Sequence, residues 1–506
     1  MAGWRFDFRP QPTMPPLAWV ACARPGVVSV DHGTSVRTFE SGFVEGTWVG
    51  PAHPAHLPES TTVFGSGMVA RGHELLAVPP SHHLECVYFA RVADALIVSN
   101  SMVGVLAAGG LTLDPVANYS DVFLESIKGC WLIDDRVGGE LQLRHQRIDV
   151  PTTTVPITAW RVENLLINAD LSVVQRRRPR EAAWNSFGEF KERITAATRS
   201  LISNGAAYEP VVALSAGYDS PAVAAIAAAA GAKRATGFTT ARPAANTSDT
   251  SDNGAGIAAA LGLDFTPIAR DAYRERTDLA DADFLASGMA GEEVVFLGLE
   301  PEVGHSLLFN GWWGGTEWAE STRDAWRHVS PITCSGAGVT EFRLRADFVW
   351  LPLPVFGGIR TLDAPSLLDL AEMDPFRVGG SYERPVPRRL VEEAGVKRGT
   401  FATAKRAVSV LPPRDGLGAF SAAARGSINQ FAAREGRGFD GRPRRPFSRY
   451  ERAIMRGAQR LRLAPIADPL KRRQARLTHF EPGLGNVLLR WSVAVVSERY
   501  SAVERL

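Results

Sequence analysis

The sequence has few cysteines, no long apolar run and no secretory pattern in its first residues. Its four cysteines are far apart and have no metal-binding spacing: Cys22, Cys86, Cys130 and Cys334. We therefore expect buried thiols in a reducing compartment. No stretch reaches the ~18–20 uninterrupted apolar residues that a membrane span needs, and residues 1–6 lack the charged-then-apolar pattern of a signal peptide. These absences favour a cytoplasmic protein without a membrane partner.

The length and the charge distribution indicate several domains with different surfaces. A chain of 506 residues exceeds one ordinary core, and its 45% apolar and 22% charged content is typical of a folded globular protein. The net charge is +2, but residues 411–506 carry 19 basic against 8 acidic residues, and residues 1–410 carry 37 against 46. Two interpretations of the basic region remain open: arginine-rich helices docked on an acidic body, or an electropositive surface for phosphate, nucleic acid or an acidic partner.

Three regions differ in their predicted secondary structure. Residues 1–180 contain short apolar runs between Pro, Gly and His turns, at 19–23, 27–30, 86–90 and 95–99, and predict a β-rich sandwich. In residues 181–410, helices are expected at 187–204, 221–230 and 255–261, and strands at 211–215, 235–240 and 307–310. This alternation predicts an α/β domain with a parallel sheet covered by helices. Residues 411–506 are expected to be mainly helical.

The most informative stretch covers residues 211–221, with the sequence VVALSAGYDSP. A buried strand ends at Ser215, a tight turn crosses Gly217, and a helix is expected to begin with Ser220 as N-cap and Pro221 as its first residue. A helix N-terminus at the carboxyl end of a parallel strand binds anions, because its backbone N–H groups and its dipole point at the ligand. Gly217 allows close approach of the backbone, and the carboxylate of Asp219 can hold a metal ion against phosphate oxygens.

This stretch has the pattern Ser-x-Gly-x-Asp-Ser and resembles the loop of pyrophosphate-loop enzymes, which hold the β- and γ-phosphates of ATP while the α-phosphate is attacked. A Walker-type loop, Gly-x4-Gly-Lys-Ser/Thr, is absent. The resemblance implies ATP as substrate, AMP and pyrophosphate as products, and Mg²⁺ bound by Asp219. The alternative is a turn whose Ser and Asp only cap a helix. The resemblance assigns cofactor binding to six residues: Ser215, Ala216, Gly217, Tyr218, Asp219 and Ser220.

Further segments resemble the asparagine synthetase-like group of this family. Residues 307–318, LLFNGWWGGTEW, are similar to a second strand–glycine loop that closes over the pyrophosphate, which implies binding roles for Gly311 and Gly314. Residues 382–389 and 401–405 are similar to a set in bacterial asparagine synthase-related proteins, and residues 372–376 to the group's Glu-x-x-x-Pro-Phe stretch, shorter here by one residue. The resemblance covers residues 185–410 firmly, residues 1–180 weakly and residues 411–506 not at all.

The N-terminal region departs from the glutamine-dependent members of the group. Those members use an N-terminal cysteine as the nucleophile, whereas position 2 is Ala2 and the first cysteine is Cys22. We therefore expect residues 1–180 to form a degenerate glutaminase-like sandwich without glutaminase activity, as in the β-lactam synthetase and lasso-peptide cyclase branches.

The expected magnesium site also departs from the family pattern. The acidic residue after the second glycine loop falls on Gly315, or on Thr316 if the loop carries one extra residue. Glu317 is the expected substitute as a metal ligand, with Asp249 and Asp252 as alternatives. A separate cluster could bind metal in principle, but in a predicted loop it is expected to be solvated surface: His82, His83 and Glu85.

The resemblance also implies roles outside these loops. Three residues that end the next strand would lie near adenine or ribose: Gly237, Phe238 and Thr239. Lys405 is the candidate cation for the charge that develops at the α-phosphate, or else an exposed lysine. Glu372 would orient or deprotonate the attacking amine, or else form a structural ion pair. Trp312 and Trp313 would wall the acceptor pocket or simply pack.

The sequence therefore predicts an α/β, ATP- and Mg²⁺-dependent carbon–nitrogen ligase with domains at 1–180, 181–410 and 411–506. It would adenylate a small-molecule or peptide carboxylate and transfer the acyl group to an amine, with membrane and nucleic acid disfavoured as partners. One alternative is a catalytically inactive nucleotide-binding or scaffold protein. Another is a pyrophosphate-loop RNA-modifying enzyme, against which the scattered cysteines argue. The oligomeric state is left open.

Overall fold

The structure is a computed structural model in which the described residues are 3–123, 133–137, 140–143, 147–179, 181, 184–242, 250–318, 336–356, 367–379, 383–402, 406–436, 448–460, 463, 465–466, 469–470 and 482–506. Two candidate site residues, Lys405 and Asp249, lie outside these ranges, as do Cys130 and Cys334. The predictions that concern them therefore stay predictions.

Two largely antiparallel sheets lie in the N-terminal region. One has the strand order β1-β3-β2-β9-β8-β13-β12 and the other β15-β14-β7-β6-β5-β4, while β10 and β11 pair with each other. The strands are β1 (Arg5–Pro10), β2 (Trp19–Arg24), β3 (Val27–His32), β4 (Arg37–Phe39), β5 (Gly42–Trp48), β6 (Val63–Arg71), β7 (Glu74–Val78), β8 (Val87–Val92), β9 (Ala95–Ser99), β10 (Ile133–Val137), β11 (Glu140–Leu143), β12 (Arg147–Val150), β13 (Ile157–Trp160), β14 (Asn164–Ile167) and β15 (Val173–Arg176).

Helices occur throughout the chain, and within the described ranges none has the length and apolar character of a membrane span. The α-helices are α1 (Met102–Gly109), α2 (Phe187–Asn204), α3 (Asp219–Ala230), α4 (Ala255–Ala260), α5 (Glu300–Val303), α6 (Gly314–Glu317), α7 (Thr340–Ala346), α8 (Pro385–Glu393), α9 (Pro412–Asp415), α10 (Ala422–Arg434), α11 (Arg449–Arg460) and α12 (Pro482–Ser497). Short 3-10 helices are Pro54–Glu59, Ala272–Glu275, Ala280–Phe284, Val294–Leu299, Leu353–Val355, Leu367–Asp369, Ala371–Phe376, Gly416–Ala419 and Glu498–Tyr500.

Strand β2 shows how the N-terminal sheets form a core, because successive side chains of a strand point to opposite faces. Trp19 and Ala21 belong to the apolar cluster between the two sheets, where the ring of Trp19 lies 5.0 Å from that of Phe43. Val20 and Cys22 face the other way, into the core that includes α1. Cys22 is buried as predicted, and burial raises its thiol pKa to about 11. The likeness of this region to a glutaminase stays a prediction.

A parallel sheet follows, so the mixed α/β class predicted from the sequence is confirmed. Its order is β18-β17-β16-β19-β20, with Val211 of β16 opposite both Arg234 and Leu308. The chain winds outward from β16 to β18 and then crosses to β19 on the other side of β16. Ligands of open parallel sheets bind at such a switch point, beyond the carboxyl ends of the strands. The strands are β16 (Glu209–Ala213), β17 (Arg234–Phe238), β18 (Asp264–Ile268), β19 (Ser306–Asn310) and β20 (Phe348–Pro352).

Two helices beside this sheet follow from their sequences. Helix α2 has the predicted bounds, because Ser186 caps it by accepting a hydrogen bond from the Glu189 N–H at 3.1 Å and its apolar face, which includes Phe190 and Ile194, is buried. Helix α3 is rich in alanine and buried along most of its length, and it ends where Gly231 adopts a positive φ of 117°.

Part of the basic C-terminal region docks on the body of the protein. Asp283 accepts a hydrogen bond from Arg499 at 2.5 Å, and Asp281 accepts from the backbone and the hydroxyl of Ser421 at 2.8 Å each. The hydroxyl of Tyr500 donates to Glu341 at 3.0 Å. These contacts favour the docking interpretation for this part of the region, whereas the interpretation as an electropositive surface stays untested.

The histidine pair His82 and His83 is buried, so the expectation of a solvated loop was wrong. Their exposed fractions are 0% and 4%, and that of Glu85 is 2%. Arg343 of α7 donates to Glu85 and to both carboxylate oxygens of Glu45, the latter at 2.9 and 3.0 Å. Burial lowers the pKa of both histidines. The sequence pattern missed this network because its partner Arg343 is 258 residues away from Glu85.

Candidate active site

A cavity of about 280 Å³ lies at the switch point of the parallel sheet. Its walls include Ser215, Asp219 and Ser220 from the loop 215–220, and Gly311 and Trp312 from the loop 311–315. The first loop follows β16 and the second follows β19, so the carboxyl ends of two neighbouring parallel strands bring them together. The structure thus places the two segments that the sequence singled out at one site.

Internal hydrogen bonds close the loop 215–220. The backbone N–H of Ser215 donates to Oγ of Ser220 at 3.0 Å, and the two hydroxyls lie 2.7 Å apart. Ser220 is therefore not the N-cap of α3 as predicted: the helix begins at Asp219, after Tyr218, and Pro221 is its third residue. The reason is that the Ser220 hydroxyl bonds to Ser215 in the loop instead of capping the helix, which begins two residues earlier than predicted.

The start of α3 has the properties of an anion site. Tyr218, at the N-cap position, makes no side-chain cap hydrogen bond, and the first N–H groups of a helix lack intrahelical acceptors. The side chain of Tyr218 is fixed elsewhere, because Arg388 donates to its hydroxyl and stacks 5.2 Å from its ring centre. The carbonyl of Ala216 accepts from the N–H of Ala402 at 2.8 Å. These contacts hold the loop in place around the helix start.

Two glycines allow the loops to touch. A Cβ on Gly311 would lie 2.3 Å from the backbone nitrogen of Ser220, and a Cβ on Gly314 would lie 2.6 Å from Cγ of Asp219. Real Cβ atoms do not come so close, so any side chain at these positions would push the loops apart. The predicted position of Gly311 and Gly314 beside the loop 215–220 is thus what the structure shows, while their binding role stays a prediction.

The two tryptophans of the second loop differ in their surroundings. Trp312 lines the cavity. Trp313, with a positive φ of 73°, packs against Leu84 and against His83, whose ring centre is 4.2 Å away. Trp312 therefore remains a candidate wall for a substrate, whereas the position of Trp313 corresponds to the packing alternative.

Asp219 faces a guanidinium that the sequence did not single out. Arg384 donates from Nη1 to Oδ2 of Asp219, and its side chain is only 7% exposed. A Cβ on Gly315, the position at which the family pattern predicts an acid, would lie 2.9 Å from Nη2 of Arg384. The space beside Asp219 is thus occupied by a cation.

The donor set around Asp219 fits a magnesium ion held mainly by phosphate. Mg²⁺ usually takes one or two carboxylates from a protein and fills its octahedral shell with phosphate and water oxygens, and Asp219, the first residue of α3, could supply one. Within the described part of the chain, no group of three or more His, Cys, Asp or Glu residues could hold a metal by itself. Glu317 ends α6, but its side chain lies outside the described part, so its role as the substitute ligand stays a prediction.

Two buried acids also line the cavity: Asp252 and Glu293. Asp252 accepts from the N–H of Ala216 at 3.1 Å, and burial raises its pKa to about 6. Glu293 accepts from the N–H of Gly336, and burial raises its pKa to about 7. Gly336 packs on Trp312, since a Cβ there would lie 2.6 Å from the indole ring. Asp252 therefore lies beside the loop 215–220 and Glu293 on the Trp312 side.

The end of β17 contributes two of its three predicted residues. Gly237 and Phe238 line the cavity, and a Cβ on Gly237 would lie 1.9 Å from the carbonyl oxygen of Leu214. Thr239 bonds instead to the neighbouring strand, with its N–H donating to the carbonyl of Ile268 at 3.1 Å. The structure thus brings Gly237 and Phe238 to the expected side of the cavity.

Glu372 lies apart from the cavity. Its carboxylate accepts from the N–H of Phe187 at 2.8 Å, at the first residue of α2, and pairs with Arg389 at 2.9 Å. These bonds lower its pKa. Glu372 therefore forms the ion pair that was the alternative to a catalytic role, because Arg389 and the N–H of Phe187 hold its carboxylate.

No family model matches the chain, and no curated protein does either. Among solved structures, the chain is similar to the glutamine-dependent NAD⁺ synthetase of Acinetobacter baumannii in complex with ADP, with 15% identity and a TM-score of 0.21. The match covers 62% of this chain and 55% of that chain, little more than half of the neighbour's length. A likeness this distant leaves the assignment of function to the residues of the site.

Sequence reasoning missed or undervalued four residues of the cavity wall: Asp252, Glu293, Arg384 and Arg406. Asp252 carried a weak signal, since it follows the second strand. Arg406 follows the candidate Lys405 directly and lowers the pKa of Asp252 through its charge. Arg384 lies in a segment that resembles the family. Its position in the sequence does not predict a contact with Asp219, which lies 165 residues earlier. For Glu293, the sequence shows only that an acidic residue lies within an apolar stretch.

Proposed function

We propose that this protein is an ATP-dependent ligase that forms amide bonds through an acyl-adenylate. A carboxylate oxygen of the acid substrate attacks the α-phosphorus of ATP, the bond to the bridging β-phosphate oxygen breaks, and pyrophosphate leaves. The nitrogen of an amine then attacks the acyl carbon, AMP leaves, and a base takes the proton. The observation that carries the proposal is the loop 215–220, which joins the carboxyl end of β16 to the N-terminus of α3 in the cavity wall.

The loop suits a leaving pyrophosphate. The helix dipole and the backbone N–H groups at the start of α3 stabilise negative charge, and the hydroxyls of Ser215 and Ser220 add donors on the same side. Asp219 would hold a magnesium ion, which neutralises charge on the phosphates. Gly237 and Phe238, at the end of the neighbouring strand, line the cavity and would contact the nucleoside. The acid and the amine, each a small molecule or a peptide, would occupy the side walled by Trp312.

Glu293 is the base that we propose for the amine. It lies on the Trp312 side of the cavity, where it accepts from the N–H of Gly336, and its pKa of about 7 is suited to accepting a proton near neutral pH. Glu293→Gln should therefore stop amide formation while leaving pyrophosphate exchange, the reverse of adenylation, within a few-fold of wild type. Loss of both reactions in a folded variant would contradict this assignment.

The experiment for the proposed function is product analysis with a panel of acids and amines. AMP and pyrophosphate are expected in equal amounts. Labelled pyrophosphate should exchange into ATP only when the correct acid is present. Asp219→Asn should lower exchange at least about 100-fold, whereas Asp264→Asn, at an exposed site at the start of β18, should leave exchange unchanged. Stoichiometric ADP would refute the proposal.

The ion pair between Asp219 and Arg384 favours one second candidate, a nucleotide-binding protein without catalysis. If Arg384 kept the carboxylate of Asp219 from magnesium, ATP would bind and remain intact. Calorimetric binding of ATP together with no exchange for any acid would support this candidate. Binding together with exchange would remove it.

A further inference from the structure

The loop 311–315 contacts the N-terminal region through Trp313. The indole of Trp313 is buried against Leu84 and His83, and its ring centre lies 4.2 Å from that of His83 and 4.9 Å from that of Trp312. Burial lowers the pKa of His83 to about 3, so its ring is neutral near pH 7 and packs on the indole as an aromatic group. A side chain of the candidate active-site loop is therefore seated on the N-terminal region.

The backbone of Trp313 has a conformation that bulky residues seldom adopt. Its φ is 73° and its ψ is −12°, in the left-handed region where glycine is favoured. A hydrogen bond of 3.2 Å from the N–H of Gly314 to the carbonyl of Gly311 closes the turn around it. Such a conformation costs free energy that the surrounding contacts must offset. The burial of the indole on Leu84 and His83 is one such contact, so the shape of the loop is linked to this packing.

The segment 81–86, which receives Trp313, is itself fixed to the N-terminal sheets. Glu85 accepts from Arg343, and Arg343 also donates to both carboxylate oxygens of Glu45 in β5. All three side chains are buried. Separating charges that are paired in the interior is costly, because each would lose its partner without regaining water. The segment is therefore a firm support for the indole.

We propose that the N-terminal region positions the second loop of the active site, with Trp313 as the positioning residue that transmits this support from Leu84 and His83 to the loop 311–315. The inference rests on the proposed function of this loop and the loop 215–220 as the pyrophosphate site. It gives the N-terminal region a part in the reaction that requires no glutaminase chemistry.

The contact between the two loops explains why the position of Trp313 matters. Gly311 and Gly314, which flank the two tryptophans, approach Ser220 and Asp219 so closely that no side chain fits between the loops. A shift of the indole would move these glycines with it, because they share one short turn. Displacing groups that position a substrate by about 1 Å lowers reaction rates by up to about 100-fold.

The test is Leu84→Ala, which removes part of the seat of Trp313 but leaves the described residues of the cavity wall in place, since Leu84 is not among them. Its kcat for pyrophosphate exchange should fall about 10- to 100-fold, whereas its KM for ATP should stay near that of wild type because the loop 215–220 is unchanged. The matched control is Leu96→Ala, the same substitution in the core between the two N-terminal sheets. It should exchange pyrophosphate as wild type does, and equal losses of kcat in the two variants would overturn the inference.

Hydrogen–deuterium exchange supplies a readout that does not depend on the acid substrate. Leu84→Ala should speed the exchange of backbone N–H groups in residues 311–315, and Leu96→Ala should not. Trp313→Ala should behave like Leu84→Ala, while Trp313→Phe, which keeps an aromatic ring on the seat, should recover part of the lost kcat. Unchanged protection of the loop in Leu84→Ala would overturn the inference.

Two provisions keep the experiment decisive. If Leu84→Ala does not fold, Leu84→Val and Leu96→Val take the places of the two alanine variants, with the same order of effects expected. If wild type exchanges no pyrophosphate with any acid, the proposed function is refuted, whereas the protection of residues 311–315 still reports whether Leu84 supports the loop. The two failures are therefore distinguishable.

Discussion

Replacing Gly311 by alanine tests whether the two loops must touch for the site to work. The added Cβ would lie 2.3 Å from the nitrogen of Ser220 and 2.4 Å from the carbonyl carbon of Asp219. Both are backbone atoms at the start of α3, so no side-chain rotation can relieve the overlap. Because carbon atoms rest at about 3.5–4.0 Å from each other, the loop 311–315 must retreat by about 1 Å.

The size of this displacement predicts how much stability and how much exchange activity the variant loses. Overpacking of a well-packed region costs about 1–3 kcal/mol, which is less than the stability of a typical folded protein. Misplacing groups that position a substrate by about 1 Å lowers reaction rates by up to about 100-fold. We therefore expect Gly311→Ala to remain folded and to lose about 10- to 100-fold in pyrophosphate exchange.

The assay combines exchange of labelled pyrophosphate into ATP with the free energy of unfolding measured in urea. Gly256→Ala is the matched control, since this exposed glycine of α4 has nothing within 4 Å of an added Cβ. Alanine there should stabilise the helix by up to about 1 kcal/mol and leave exchange unchanged. If Gly311→Ala exchanged pyrophosphate at the wild-type rate, the close contact between the two loops would not be needed for this activity.

Three further predictions concern the acids of the cavity and the N-terminal region. Asp219→Asn should lower exchange at least about 100-fold, because it removes both a metal ligand and the partner of Arg384; near-normal exchange would make the loop only structural. Burial raises the pKa of Glu293 from 4.5 to about 7, so the folded state holds this proton more tightly and the free energy of unfolding falls as pH rises from about 4.5 to about 7. Glu293→Gln should remove roughly 3 kcal/mol of that fall, and an identical pH dependence of urea unfolding in both proteins would count against it. Glutamine should not be hydrolysed, because Cys22 and Cys86, the cysteines that the structure describes in the N-terminal region, are both buried, and glutamate release above the blank would show otherwise.

The features that the sequence predicted well are local. Helix α2 has the predicted bounds because its cap and its apolar spacing lie within one segment. The joint between β16 and α3 was predicted for the same reason, since the anion-binding geometry follows from a strand, a glycine turn and a helix start in succession. The predicted N-cap at Ser220 was wrong, because the pattern of residues did not show that its hydroxyl would bond back to Ser215.

The features that the sequence did not predict depend on contacts between distant segments. The sequence pattern around His82 and His83 predicted surface residues. The contact between Arg343 and Glu85, which belongs to their buried network, could not be inferred from that pattern. Glu372 looked like a candidate base, but its partners Phe187 and Arg389 come from two different helices. In each example the residue type fits two environments, and only the packing of elements that are far apart in the chain decides between them.

The glycine at position 315 illustrates the same principle at the centre of the site. The sequence has glycine where the family pattern predicts a carboxylate, and this difference predicts a weakened magnesium site. In the structure the carboxylate that would stand there meets the guanidinium of Arg384, which already pairs with Asp219. An acid introduced at position 315 would therefore meet a guanidinium as soon as its side chain leaves the backbone, so its carboxylate would pair with Arg384 as well as offer a ligand to magnesium.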